Sequence, residues 1–169
     1  MSPRSRRSLG LRGALGRLAS LSGRDWALLA CAWFLLPPVS AGLRLVGFRR
    51  MRSLATSVPS ARRGAAEDDP LEVTRAAWLV EIAGRCTWPR PSCLAKAFVT
   101  TSLLERRGRA AQLVVGVAKT GDLIEGHAWV ECDGAAVGAN PELAGYAVLA
   151  RIPNRSPRPA TIPRPERAP

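Results

Sequence analysis

The sequence predicts an α+β fold in which helices pack on a small antiparallel sheet. Two segments, residues 71–85 and 93–107, carry apolar residues at helical spacing. A β-branched run follows at residues 112–118, and after a Thr-Gly-Asp turn residues 124–132 have the pattern of a strand with two distinct faces. Helices followed by a hairpin favour an antiparallel sheet with its helices gathered together. The 169 residues are enough for one modest core.

The front of the chain is basic and then apolar. Residues 1–25 mix arginine with small residues and lack an apolar face, which predicts a flexible basic arm. Residues 26–36 (WALLACAWFLL) predict a helix that ends at Pro37-Pro38 and is too short to span a bilayer. We favour a buried helix here, while a secretory signal ending at Ala41 and a membrane-associated helix remain alternatives. A second short helix over residues 41–54 and a linker over residues 55–70 complete the region 26–70.

The domain predicted to be catalytic spans residues 71–152. Asp69 is the expected N-cap of the first helix, with Pro70 in its first turn. Ser92 is the expected N-cap of the second helix, and Gly108 can close its end. An Asp133-Gly134 turn should lead the hairpin into a third antiparallel strand at residues 135–139. The remaining residues, 153–169, are rich in proline and arginine and predict a disordered tail.

The charge of the chain limits its partners. The formal net charge of +12 comes almost wholly from arginine, which favours acidic partners, nucleic acid or anionic membrane. Aromatic residues make up only 5% of the chain and do not alternate with the arginines as in single-strand binders, so we do not expect a nucleic-acid partner. We expect a cytoplasmic protein whose front helix is also compatible with a membrane-surface association.

Cys93 is the first candidate for catalysis. It opens a predicted helix, where the positive end of the helix dipole and unpaired backbone N–H groups favour a thiolate. The thiolate is the nucleophilic form of cysteine, so the position suits covalent catalysis. The alternative for any single cysteine is that of a small buried hydrophobic residue.

His127 is the partner that the pattern offers to Cys93. It is the only histidine in the chain and shares a strand face with Trp129 and Glu131. Taken alone it could also be a structural histidine, and Trp129 could wall a cleft or fill the core. A third residue should orient the imidazole. The candidates on the expected next strand are Asn140 and Glu142, and Asn140 ranks above Asp133, which lies at the turn.

A zinc site is the competing use of the same residue types. Cys86, Cys93, His127 and Cys132 would together satisfy a structural zinc. Six residues separate Cys86 from Cys93, which is wider than usual for paired zinc ligands, and His127 and Cys132 alternate to opposite strand faces. We therefore expect neither a metal nor any other cofactor.

One stretch of the chain resembles a known family. Residues 93–97 (CLAKA), 103–119 (LLERRGRAAQLVVGVAK) and 126–134 (GHAWVECDG) are similar to the transglutaminase-like core of the B2 proteins of lasso-peptide biosynthesis. The similarity covers roughly residues 71–150, and the front helix with Phe48-Arg49-Arg50 also looks like the start of these proteins. The resemblance implies a transglutaminase-like or papain-like cysteine hydrolase core, with Cys93 as nucleophile and His127 as base.

The resemblance also implies an activity and its partners. Such a protein is a cysteine peptidase that cuts the leader from a ribosomally made precursor peptide, freeing an amine that an ATP-dependent lasso cyclase then uses. The chain looks like the standalone form, which implies a separate leader-binding protein. The family usually has an aspartate about twelve residues after the histidine, where this chain has Ala139 beside Asn140. That departure leaves a catalytically weak scaffold and transglutaminase-type acyl transfer as alternatives.

Overall fold

The computed structural model describes residues 21–57, 70–138, 143 and 145–153. Within them the chain forms four helices, α1 (Gly23–Leu45), α2 (Gly47–Ser57), α3 (Pro70–Arg85) and α4 (Cys93–Arg106). Four strands follow, β1 (Ala111–Thr120), β2 (Leu123–Cys132), β3 (Ala135–Ala136) and β4 (Ala147–Pro153). The order of helices before an antiparallel sheet confirms the predicted α+β class.

Helices α3 and α4 are confirmed nearly to the residue. The Ser92 hydroxyl accepts a hydrogen bond from the Ala95 backbone N–H at 3.2 Å, so Ser92 is the N-cap of α4. At the other end Gly108 adopts φ +82°, and its N–H donates to the Glu105 carbonyl. Asp69, the expected cap of α3, lies outside the described residues.

Helix α1 differs from the prediction at both ends. It starts at Gly23, where Ser22 and Asp25 form a capping box, so the last residues assigned to the arm belong to the helix. Burial alone would raise the pKa of Asp25, but hydrogen bonds from Ser22 and the charge of Arg75 lower it on balance. Residues 1–20 lie outside the described part of the chain.

The predicted stop at Pro37-Pro38 is wrong, because α1 continues through both prolines to Leu45. Proline removes a backbone donor, here the two that would bond to the carbonyls of residues 33 and 34. Trp33, Phe34 and both prolines are exposed, so the interrupted side of the helix faces water, which can satisfy these carbonyls. The opposite side is held by packing, and the next helix begins only at Gly47, which has a φ of +79°.

The longer α1 also changes the membrane question. With 23 residues and a mean hydropathy of 1.6 in its most apolar window, it is long and apolar enough to cross a membrane. This finding rests on length and composition only, and buried core helices and secretory signals can have the same length and composition. In this structure Ala32, Leu36 and Val39 of α1 belong to the hydrophobic core, and Ala41 lies inside the helix.

The sheet has the strand order β3-β2-β1-β4, with antiparallel pairing throughout. Thr120 pairs with Leu123 across a two-residue turn at Gly121-Asp122, which confirms the predicted hairpin. Strand β3 is confirmed but has only two residues. Strand β4 was not predicted, and it pairs Ile152 and Pro153 with β1. The predicted disordered tail is therefore wrong at its first residue, Pro153, and residues 154–169 lie outside the described part of the chain.

One face of the sheet carries the core. Leu113, Ala128 and Val130 face the helices and pack with residues of α1, α3 and α4, including Leu36, Val80, Phe98 and Leu104. Side chains alternate along a strand, so the neighbours His127 and Trp129 belong to the other face. This alternation decides how the histidine can approach the helix layer.

Candidate active site

Cys93 lies where the sequence places it, at the first residue of α4. It is half-buried and packs against the edge of the core. Cys93 and Leu94 belong to the first turn of the helix, where the backbone N–H groups have no partner within the helix. Such donors can stabilise a thiolate, or the oxyanion that forms when the thiolate attacks a carbonyl.

His127 lies on β2 opposite Gly116 of β1. Strand β3 pairs with β2 only at Glu131 and Cys132, so within the described residues the edge of β2 next to His127 has no neighbouring strand. Next to this edge, His127 lines the same cavities as Cys93. Cys93 and His127 are not hydrogen-bonded to each other in the described structure, and such contacts are often loose in free enzymes.

An aromatic cluster surrounds the imidazole. His127 stacks with Trp129 at a ring separation of 6.4 Å, and Tyr146 lies against it at 5.5 Å. Trp129 is 9% exposed and rests on Gly116, where an added Cβ would lie 2.8 Å from the indole ring. Trp129 thus fills space and borders the site at once. Tyr146, the only tyrosine of the chain, was missed because nothing in the pattern places it near His127.

Two cavities meet at the Cys93–His127 pair. The larger, of about 560 Å³, lies between α3, α4 and the open edge of β2, and its polar lining includes Thr74, Glu81, Lys96 and Thr100. The smaller, of about 260 Å³, lies between α2, α4 and the sheet. Cys93, His127 and Ala128 are the residues that line both. A cleft of this kind can hold a chain that passes the thiol on both sides.

An ion pair sits in the larger cavity beside the thiol. Lys96, one helical turn after Cys93, donates to Glu81 of α3 at 2.7 Å. Gly84 allows the close approach, because a Cβ there would lie 3.1 Å from the lysine side chain. The pair ties the two helices together at the cavity wall.

The third catalytic position is only partly described. Asn140, Ala139 and Glu142 lie outside the described residues, so the prediction for Asn140 stays a prediction. Asp133 is six residues beyond His127 at the far end of β2, about 20 Å away for an extended strand. There it pairs with Arg109 at 2.9 Å. The structure therefore does not bring Asp133 to His127. Asp133 is too far away to orient the imidazole, so it is not a substitute for Asn140.

The ligand set of the zinc alternative is scattered. Cys86 is exposed at the end of α3, and Cys132 is buried at the far end of β2. Burial, and next the hydrogen bond to Asp133, raise the pKa of the Cys132 thiol, which disfavours the thiolate that a metal needs. Among the described residues, no group of three or more His, Cys, Asp or Glu side chains is placed to hold a metal ion.

A comparison with protein families agrees with this arrangement. The model of the transglutaminase-like superfamily matches residues 33–151. The chain belongs to the transglutaminase-like superfamily. No curated protein and no solved structure gives a significant match to this chain.

The family match also covers the two front helices, which the sequence analysis placed outside the catalytic domain. The range matched by the transglutaminase-like superfamily begins inside α1, so the apolar helix and α2 fall within it together with α3, α4 and the sheet. The superfamily includes cysteine peptidases and acyl transferases. Both reactions start with a thiolate attacking a carbonyl carbon, which suits a thiol and an imidazole at one cleft.

Proposed function

We propose that this transglutaminase-like chain is a cysteine peptidase that removes the leader from a lasso-peptide precursor. The observation that carries the proposal is that Cys93 and His127 together line both cavities of one cleft. The finer assignment to lasso-peptide maturation rests on the resemblance of residues 93–97, 103–119 and 126–134 to the B2 proteins. The substrate is a precursor peptide, bound with the help of a separate leader-binding protein.

The reaction proceeds in two steps. The Cys93 thiolate attacks the carbonyl carbon of the last leader residue, and backbone N–H groups of the α4 first turn stabilise the oxyanion. The C–N bond breaks as protonated His127 gives its proton to the leaving amine, which becomes the free N-terminus for the ATP-dependent cyclase. Water, deprotonated by His127, then attacks the thioester and releases the leader as a carboxylic acid.

Asn140 is proposed to orient the imidazole. An amide carbonyl on the segment after β3 can accept from the ring N–H and fix its tautomer. Asn140→Ala should then slow cleavage without unfolding the protein. If the position is vacant instead, Ala139→Asp should raise the rate. Single-turnover rates of the two variants and the parent, compared at equal folded concentration, separate these results.

The test of the function is leader release from a precursor in the presence of its leader-binding protein. Mass spectrometry in water enriched in oxygen-18 should show one heavy oxygen in the released leader, because water cleaves the thioester. His127→Gln, which keeps a polar side chain of similar reach, should lower the rate by about 10²- to 10⁴-fold. A leader joined to an added amine would instead assign acyl transfer, and no cleavage by the parent would leave the scaffold alternative.

A further inference from the structure

The two cavities at Cys93 differ in chemistry. On the larger side, threonines and the Lys96–Glu81 ion pair face the cleft. On the smaller side, every lining residue other than Cys93 and His127 is apolar: Phe48, Leu94, Val115, Gly126, Ala128 and Ile152. The larger cavity also has apolar lining residues, among them Trp78, Val130 and Leu143. A chain lying across the thiol would therefore meet a mixed polar and apolar surface on one side and a wholly apolar chamber on the other.

The apolar chamber is built from four elements. Phe48 comes from α2, Leu94 from α4, Val115 from β1 and Ile152 from β4. Phe48 is fixed by an edge-to-face contact with the buried Phe98, with ring centroids 6.1 Å apart. The chamber is thus walled by side chains that are themselves anchored in the core, which gives it a defined shape.

The chamber is large enough to accept an apolar side chain. A volume of about 260 Å³ equals that of roughly eight or nine molecules of liquid water at about 30 Å³ each. That is room for a branched aliphatic or an aromatic side chain. A charged side chain would lose part of its hydration there, and apart from Cys93 and His127 the lining offers it no polar partner.

We infer that the chamber lined by Phe48, Leu94, Val115 and Ile152 is a specificity subsite for one apolar side chain next to the bond under attack. This inference rests on the proposed peptidase function for its substrate class, a peptide. The subsite itself is a property of the cleft beside Cys93, so it can be tested without any peptide.

The first test uses neutral alkylating probes, because a net charge of +12 would bias charged ones. N-isobutyl-2-chloroacetamide and its N-carbamoylmethyl counterpart both form an S–C bond while the C–Cl bond breaks and chloride leaves. Peptide mapping gives the rate ratio of the two probes at Cys93. The reference is N-acetylcysteine methylamide in the same buffer, because Cys86 lines an apolar pocket of its own with Trp33 and Phe34. We expect the ratio to favour isobutyl about tenfold more at Cys93 than for this free thiol. Equal ratios for the two thiols would overturn the subsite.

Variants then show whether the chamber causes the preference. Val115→Phe should fill it and bring the Cys93 ratio close to that of the free thiol. Val117→Phe is the matched control, because Val117 lies on the same face of β1 and outside the lining of both cavities. Leu94→Gln offers a second variant on a different element in case Val115→Phe does not fold. A Cys93 ratio unaffected by both lining changes would also overturn the inference.

The peptide experiment separates the subsite from the peptidase function. Precursors substituted at the two residues flanking the cut should show an apolar preference of about tenfold at one of them. That preference should disappear in Val115→Phe and persist in Val117→Phe. Cleavage without a preference would contradict the subsite while leaving the peptidase intact. Selective alkylation without any cleavage would contradict the peptidase while leaving the subsite intact.

Discussion

Cys93 and Cys132 pack against the same hydrophobic core but lie in different chemical surroundings. Cys93 opens a helix, is half-buried and faces two cavities. Cys132 is the last residue of β2, where β3 pairs with that strand, and it is 6% exposed. Its thiol donates a hydrogen bond to Asp133, and burial and that carboxylate raise its pKa. The reactivity of a thiol in this fold therefore depends on backbone donors and access, since both cysteines touch the same core.

The largest effect should come from removing each thiol in turn. Cys93→Ala should lower leader cleavage by about 10³-fold or more, because the covalent intermediate can no longer form. Cys132→Ala, Cys86→Ala and Cys31→Ala should keep most of the rate. Single-turnover assays measure the cleavage rates of the four variants, and circular dichroism confirms that each is folded. Equal loss in Cys93→Ala and Cys132→Ala, with stoichiometric zinc in the parent, would support the metal alternative instead.

Local signals predicted the elements that carry the reactive pair. The N-cap at Ser92 and the periodicity after it were sufficient for α4, and the Gly121-Asp122 turn was sufficient for the hairpin that carries His127. Both depend on neighbours in sequence, so the pattern contains the needed information. The membership of the transglutaminase-like superfamily was likewise visible in the short motifs around Cys93 and His127.

Long-range packing decided the rest. The prolines of α1 carry a strong stop signal, but the helix persists because Leu36 and Val39 on either side of them are buried. Strand β4 has no clear pattern of its own and forms by pairing with β1. The contact between Tyr146 and His127 joins residues that are distant in sequence, and a single chain without an alignment gives no sign of it.

The next effect tests the packing of Trp129 against Gly116, beside His127. Gly116→Ala would place a Cβ 2.8 Å from the Trp129 ring and 2.9 Å from the Ala147 carbonyl oxygen. We expect unfolding free energy to fall by about 1–3 kcal/mol. Gly126→Ala is the matched control on β2, with no atom within 4 Å of its added Cβ. Chemical denaturation should leave that variant unchanged or more stable by up to about 1 kcal/mol. Similar losses in both would show that Trp129 does not constrain Gly116.

A smaller effect is expected at Cys132, on the pH dependence of the unfolding free energy. Burial and Asp133 raise the folded-state pKa of Cys132, so the folded protein holds this proton after the unfolded chain has released it. The stability due to the thiol is complete below the unfolded pKa, about 8.5, and is lost as pH rises through the folded value. The parent should therefore lose stability between pH 8 and 10 more steeply than Cys132→Ala. Parallel denaturation curves over that range would contradict the assigned cause.

The smallest effect is expected from Asp133, and it tests the separation of the two ends of β2 directly. Asp133→Asn keeps the size of the side chain, and asparagine tolerates the positive φ of 53° at this turn. It removes the charge opposite Arg109, whose side chain is 13% exposed while that of Asp133 is 55% exposed. The amide oxygen of asparagine can still accept from the guanidinium, so unfolding free energy should fall by only about 1 kcal/mol. Leader cleavage should stay within about twofold of the parent, because a carboxylate six residues along an extended strand cannot contact the imidazole of His127. A loss as large as that of His127→Gln would mean that the strand does not hold Asp133 away from the site, and Asp133 would then replace Asn140 as the orienting residue.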